Sequence, residues 1–147
     1  MVGVEGRTGP FVRTAQGRPT LEDDAVEAVV DVLSKADRGL LVTGPANAPT
    51  PSREALSALA EATGFPVLAD PLSGHRFGHD TSRTDGTLVC GGYDSYLDAV
   101  EEWPDPEVVV RFGASPTSKV LRHYLRDRAD RQFVVDRAGG GREAEFT

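Results

Sequence analysis

Lysine, cysteine and long apolar stretches are all scarce in this 147-residue sequence. No run of about 18 apolar residues occurs, so we expect no membrane-spanning helix and no membrane partner. The single cysteine, Cys90, excludes an internal disulfide. Residues 1–7 lack the apolar core of a secretory signal, and we therefore expect a cytoplasmic protein.

Acidic residues outnumber basic ones by 23 to 16, the net charge is −7, and Lys35 and Lys119 are the only two lysines. Such a surface stays soluble when salt screens its charge, so the composition favours adaptation to high salt; a merely acidic protein is the alternative. Residues 111–142 reverse the balance with eight basic and three acidic residues. Because nucleic-acid binders are basic overall, this local excess indicates a small anion or a partner domain as ligand, and no nucleic acid.

Short apolar strands alternate with amphipathic helices along the chain. The predicted strands show no polar alternation, and they span residues 40–43, 65–69, 88–90, 108–110 and 132–136. Predicted helices begin at the N-caps Thr20, Thr50 and Ser115, and a further helix begins near Tyr93. Strands buried on both faces indicate a parallel sheet, so the sequence predicts an α/β, Rossmann-like fold with helices on both faces. We expect residues 1–19 to be a lead-in and residues 20–147 to form one domain.

The turn from Gly113 to Lys119, after the fourth predicted strand, is the most informative candidate site. Open parallel sheets bind their ligands at the carboxyl ends of the strands. Free N–H groups at the helix start, the hydroxyls of Thr117 and Ser118 and the ammonium of Lys119 could converge there on an anion. Plain helix capping beside a solvated lysine is the alternative, and spacing alone leaves both open.

Two glycine-containing turns do not have the pattern of a phosphate site. Gly44 to Asn47 is not a GxGxxG motif, and prolines 45 and 49 remove backbone donors that a dinucleotide would need. Gly139 to Gly141 lacks the lysine and hydroxyl residue that end a phosphate loop. We therefore expect no cofactor-binding residue in either turn.

Histidine and cysteine are too few to predict chemistry. His75 and His79 lie four residues apart in a loop and His123 lies elsewhere, so we expect no metal site. Cys90 has no nucleophile motif around it, and we expect no catalytic residue in this chain. A run of arginines interleaved with aspartates indicates a solvated helix face or a contact with another domain, and it comprises Arg122, Arg126, Arg128 and Arg131.

Several segments, taken in order, resemble the central domain of one enzyme family. They are Gly9–Val12, Pro19–Asp24, Arg38–Gly44, Gly64–Gly74, Tyr93–Leu97 and Arg111–Lys119. Their joint order and spacing carry the match, and the strand followed by Phe-Gly-x-x-x-Thr-Ser-Lys contributes most. Over about residues 9–146 the chain resembles the thiamine-diphosphate enzyme of menaquinone biosynthesis, 2-succinyl-5-enolpyruvyl-6-hydroxy-3-cyclohexene-1-carboxylate synthase.

The resemblance implies a three-domain homo-oligomer, dimer or tetramer, in which this chain is the middle domain between N- and C-terminal partner domains. Such enzymes decarboxylate 2-oxoglutarate on thiamine diphosphate and add the product to isochorismate. The activating glutamate and the Gly-Asp-Gly…Asn motif for metal and diphosphate belong to the outer domains, and this sequence has neither. The resemblance thus implies thiamine diphosphate and magnesium in the full-length enzyme and no cofactor in this chain.

By the same resemblance, Lys119 pairs with a substrate carboxylate, with help from Ser118, Thr117 and the helix N-terminus. Some relatives carry arginine directly after that lysine, whereas this chain has Val120, which puts a second cationic contact in doubt. Arg122 lies two residues further round the predicted helix and cannot simply replace it.

Two other functions stay open at this point. One is a ligand-binding or regulatory Rossmann-like module for flavin, ADP or an aromatic acid, without catalysis. The other is a stand-alone homologue that serves only as an interaction surface.

The charge balance predicts that salt stabilises the fold. Added potassium chloride screens repulsion among the excess acidic residues, so we expect the melting temperature to rise from low to molar salt. Circular dichroism at a series of salt concentrations measures this temperature. A melting temperature that salt leaves unchanged contradicts the adaptation.

Overall fold

The computed structural model describes residues 20–46, 51–77, 87–97, 99 and 103–136. They form α1 Asp23–Lys35, β1 Gly39–Thr43, α2 Arg53–Thr63, β2 Val67–Ala69, β3 Val89–Cys90, α3 Asp94–Leu97, β4 Val108–Phe112, α4 Lys119–Arg128 and β5 Gln132–Val135. In this part of the chain no helix is both long and apolar enough to cross a membrane. The predicted alternation of helices and strands is confirmed.

The strands form one all-parallel sheet in the order β3-β2-β1-β4-β5. β1 lies at the centre, where Val42 is in register with Leu68 on one side and with Arg111 on the other. The chain first builds outward to β2 and β3, and then crosses to the opposite side for β4 and β5. This reversal at β1 confirms the Rossmann-like fold, and it makes the carboxyl ends of β1 and β4 the expected place for a ligand.

Both faces of the sheet are covered, which explains why the strands have no polar alternation. On one face, the strands pack against α2 and the end of α1 in a cluster that includes Leu41, Leu56 and Val110. On the other face, they pack against α3 and α4 in a cluster that includes Val42 and Leu121. The expectation of helices on both faces is therefore confirmed.

Two predicted helix caps are wrong. Glu22, not Thr20, is the N-cap of α1, and no side-chain hydrogen bond caps this helix. Its first turn instead carries two aspartates, whose negative charges interact favourably with the positive end of the helix dipole and so stabilise the helix. Ser118, not Ser115, caps α4, because its hydroxyl oxygen is the one that accepts the free N–H of Leu121.

The second helix starts later than predicted and ends as predicted. Ser52 is the N-cap of α2 and accepts a hydrogen bond from Ala55 N at 3.3 Å, whereas the predicted cap Thr50 lies outside the described residues. The helix ends at Gly64, which has φ +71°. A glycine adopts this left-handed conformation without the steric cost that other residues incur.

Gly44 lies where the backbone after β1 approaches the turn after β4. A Cβ atom on Gly44 would be 1.9 Å from the carbonyl oxygen of Ala114, a backbone atom with little freedom to move. We expect Gly44→Ala to lower the free energy of unfolding by about 1–3 kcal/mol through overpacking. Gly92→Ala is the matched control, since nothing lies within 4 Å of its Cβ position. Urea unfolding measures both, and equal stability of the two variants would contradict the close approach.

Candidate functional site

Three turns meet at the carboxyl edge of the sheet, after β1, β2 and β4. Backbone hydrogen bonds join them in pairs: Gly44 N donates to Phe112 O (2.8 Å), Asp70 N to Thr43 O (2.9 Å) and Ala114 N to Pro45 O (3.1 Å). Gly113, with φ +81°, supplies the left-handed residue that turns the chain after β4. The edge is therefore a fixed platform at the place where the fold predicts a ligand.

The carboxylate of Asp70 lies at the centre of this edge and is completely buried. Its Oδ2 atom accepts two hydrogen bonds from Thr117, one from the backbone N and one from Oγ1, both at 2.8 Å. Its Oδ1 atom accepts a hydrogen bond from Leu72 N at 2.9 Å. Three donors thus compensate a charge that would otherwise be costly to bury.

The hydroxyl of Ser118 is used in both directions. Its oxygen accepts the hydrogen bond of Leu121 N at 3.0 Å, and its proton is donated to Oδ1 of Asp94. A hydroxyl has one proton to donate, so Ser118 cannot donate to a ligand while it holds Asp94. The same holds for Thr117, whose hydroxyl proton is donated to Asp70.

Lys119 is the first residue of α4, and its side chain is exposed. No carboxylate pairs with its ammonium among the residues that the structure describes. Its own N–H and that of Val120 lie in the first turn, where a helix offers no internal acceptor. Arg122 instead folds back on the turn, and its Nη1 donates to Pro116 O (3.1 Å) and Thr117 O (3.2 Å).

Tyr93 lies in the core behind the edge and is 1% exposed. Burial, with smaller contributions from the charges of Asp70 and Asp94, raises the pKa of Tyr93 far above its usual range. The phenol therefore stays neutral at ordinary pH. It contributes to the packing against α4.

The other sequence candidates do not gather at this edge. His75 is buried in the turn after β2, His123 lies on α4 and Cys90 is a half-buried free thiol on β3. No group of three or more metal-ligating side chains occurs in the described ranges. Residues 47–50, 78–86 and 137–147, which include His79, Asn47 and Gly139 to Gly141, lie outside those ranges.

One cation and one helix terminus lie together at this edge, and both have the charge that suits a small anion. Lys119 offers an exposed ammonium, and the positive end of the α4 dipole lies beside it. A carboxylate could pair with that ammonium and approach the N–H groups of Lys119 and Val120. Thr117, Ser118 and Lys119 are consecutive in the chain and lie at the start of α4, and the hydroxyl protons of Thr117 and Ser118 are already donated within the protein.

The local sequence pattern assigns no role to Asp70 or Asp94. Both contacts join residues far apart in the chain, by 47 positions for Asp70 to Thr117 and by 24 for Asp94 to Ser118. One local signal for Asp70 is its position at the end of a buried strand, directly before Pro71. An aspartate at such a position commonly accepts hydrogen bonds from nearby backbone N–H groups, as it does here from Leu72.

Removal of the α4 cap tests the local geometry. Ser118→Ala removes the acceptor of Leu121 N, so we expect a loss of about 1 kcal/mol in the free energy of unfolding. Ser34→Ala is the matched control, because that exposed hydroxyl donates within its own helix, to Asp31 O. Urea unfolding compares the two, and a Ser118→Ala variant as stable as the control would contradict the capping role.

Comparison with known proteins identifies homologues. No protein-family model matches the chain. It is 60% identical over 144 residues to 2-succinyl-5-enolpyruvyl-6-hydroxy-3-cyclohexene-1-carboxylate synthase of Haloarcula marismortui. The aligned residues cover 97% of this chain and 24% of that protein. The synthase of the same name from Natronomonas pharaonis is 53% identical over 146 residues, with 99% and 24% covered. That of Geobacillus kaustophilus is 46% identical over 127 residues, with 84% and 21% covered.

These matches confirm the resemblance seen in the sequence. They extend over nearly the whole chain, at an identity far above what a shared fold alone produces. The chain spans about a quarter of the length of the curated relatives it matches. This chain is therefore homologous to one segment of the 2-succinyl-5-enolpyruvyl-6-hydroxy-3-cyclohexene-1-carboxylate synthase family.

Proposed function

We propose that this chain acts as the central, Rossmann-like domain of a synthase of this family. Two observations support this: the identity of 60% to one such synthase over 97% of the chain, and the 24% of that protein's length that the chain represents. A single parallel sheet with two covered faces fits one domain of a larger enzyme. In this role the chain supplies scaffold, contacts to partner domains and part of a substrate site.

The proposed reaction is the decarboxylation of 2-oxoglutarate and the addition of the product to isochorismate, in menaquinone biosynthesis. Thiamine diphosphate supplies the electron sink for the decarboxylation when it is bound with magnesium. The described residues do not fit either group, because both oxygens of Asp70 already accept protein hydrogen bonds and no cluster of metal ligands occurs in these ranges. We therefore assign cofactor binding to other domains of a cytoplasmic homo-oligomer.

The exposed ammonium of Lys119 at the carboxyl edge is the observation that carries the proposed substrate contact. Isochorismate carries carboxylates, and a carboxylate that accepts a hydrogen bond from an ammonium gains roughly twice the energy of a neutral pair. Val120 offers no second cation, and Arg122 is held by two carbonyls of its own turn. We assign the charge contact to Lys119 alone.

Thr117 and Ser118 belong to the same proposed substrate site, but we assign them a supporting role and not the charge contact. Their hydroxyl protons are donated to Asp70 and Asp94 in this structure. Direct donation to substrate by either one requires that the internal bond be exchanged for the new one. The simpler assignment is that both residues hold Lys119 and the start of α4 in place.

Substitution of Lys119 tests the proposed contact. In the full-length synthase that carries this segment, we expect Lys119→Ala to lower kcat/KM for isochorismate by about 10- to 100-fold, because a hydrogen bond to a charged group contributes about 1.5–3 kcal/mol. Lys35→Ala is the matched control, because this exposed lysine lies on α1 and pairs with Asp31. Steady-state kinetics measures both, and equal kcat/KM values would contradict the assignment.

The chain by itself is expected to be inactive. We expect the purified chain to release no carbon dioxide from 2-oxoglutarate in the presence of thiamine diphosphate and magnesium, because the groups that bind the cofactor lie elsewhere. The full-length synthase under the same conditions is the positive control. Turnover by the chain alone would contradict its role as a non-catalytic central domain.

A further inference from the structure

We propose that Asp70 is a positioning residue that acts on substrate through Lys119. The inference rests on the proposed function of Lys119 and deepens it. Asp70 lies directly after β2, while Lys119 begins α4 on the far side of β1. The carboxylate of Asp70 is thus the group through which the β2 end of the sheet fixes the turn that carries the lysine.

The contact between Asp70 and Thr117 restrains both the backbone and the side chain of the turn. Oδ2 of Asp70 accepts the backbone N–H and the hydroxyl of Thr117, both at 2.8 Å. Thr117 precedes Lys119 by only two residues. Because Asp70 is fully buried and its other oxygen is held by Leu72 N, the carboxylate itself cannot swing. The turn therefore has one fixed anchor in the interior of the protein.

A second restraint acts on the residue between Thr117 and Lys119. Ser118 caps α4 and donates its proton to Asp94, at the start of α3. The two residues just before Lys119 are thereby hydrogen-bonded to carboxylates from different parts of the fold, Thr117 to Asp70 and Ser118 to Asp94. Lys119 itself has no partner among the described residues, so only its backbone is fixed and its ammonium is left for a ligand.

The physical need for this anchor follows from the side chain of lysine. A flexible four-carbon stem places an ammonium well only if its Cα is fixed, since each rotatable bond adds uncertainty at the tip. Displacements of about 1 Å at a distance from the chemistry can cost about 100-fold in rate. A loosened turn would therefore weaken substrate binding while Lys119 is still present.

A double-mutant cycle in the full-length synthase separates positioning from general structural damage. The variants are Asp70→Asn and Thr117→Val, each alone and combined with Lys119→Ala. Asn at position 70 presents an amide N–H₂ group where the carboxylate accepted hydrogen bonds. Val at position 117 removes one hydroxyl but keeps the backbone N–H and the shape of the residue. Thr117→Ser keeps the hydroxyl, and Asp105→Asn changes an exposed aspartate that pairs with Arg128 far from the turn.

We expect Asp70→Asn to lower kcat/KM for isochorismate about tenfold and Thr117→Val several-fold, mainly through KM. Both effects should disappear in the Lys119→Ala background, because there is no ammonium left to misplace. Thr117→Ser should recover most of the activity that Thr117→Val loses, because serine keeps the hydroxyl. Asp105→Asn should resemble the unsubstituted enzyme, and KM for 2-oxoglutarate should not change. Urea unfolding shows whether Asp70→Asn folds. If it does not, the cycle of Thr117→Val with Lys119→Ala tests the same contact.

Two outcomes overturn the positioning role and leave the proposed function of Lys119 intact. One is full activity of Asp70→Asn and Thr117→Val. The other is an effect that persists unchanged in the Lys119→Ala background, which would mean that Asp70 acts on the enzyme without Lys119. If Lys119→Ala itself leaves kcat/KM unchanged, the proposed substrate contact fails, and the positioning role fails with it.

Discussion

A buried carboxylate that must be compensated organises the carboxyl edge of this sheet. Asp70 has no exposure to water, so its charge depends entirely on protein donors. Those donors come from its own turn, through Leu72 N, and from Thr117, which lies 47 residues later. Loss of either set would leave one carboxylate oxygen without that hydrogen bond in the interior. The turn after β4 is therefore fixed by electrostatic necessity as well as by packing.

The sheet order makes this contact geometrically demanding. β1 lies between β2 and β4, so a side chain at the end of β2 reaches the turn after β4 only across the end of β1. Gly44 stands at that crossing, where a single Cβ atom would collide with the carbonyl oxygen of Ala114. The absence of a side chain at Gly44 thus lets the turn close over β1. Asp70 and Gly44 therefore act on the same turn: Gly44 leaves room for it beside the end of β1, and Asp70 holds it there by hydrogen bonds to Thr117.

The fold could be predicted from local pattern, whereas the contacts of the site could not. Leu40 to Val42 and Val108 to Val110 have no polar alternation, and that alone indicates a parallel sheet covered on both faces. Helix caps were less predictable: Ser115 and Ser118 are both good capping residues, and only the tertiary contacts of the turn select Ser118. No local pattern reveals which donor Asp70 will meet, because that contact depends on strand order.

Salt adds a reason for tight positioning of Lys119. If the protein works in molar salt, as its excess of acid and its two lysines suggest, the Debye length falls to about 3 Å. An ammonium then gains little from a carboxylate that it does not touch, so long-range attraction cannot compensate for a misplaced lysine. Direct contact between the ammonium and the carboxylate loses less of its strength to screening than attraction over a longer distance does. A rigid anchor such as Asp70 is therefore worth more at high salt than it would be in dilute buffer.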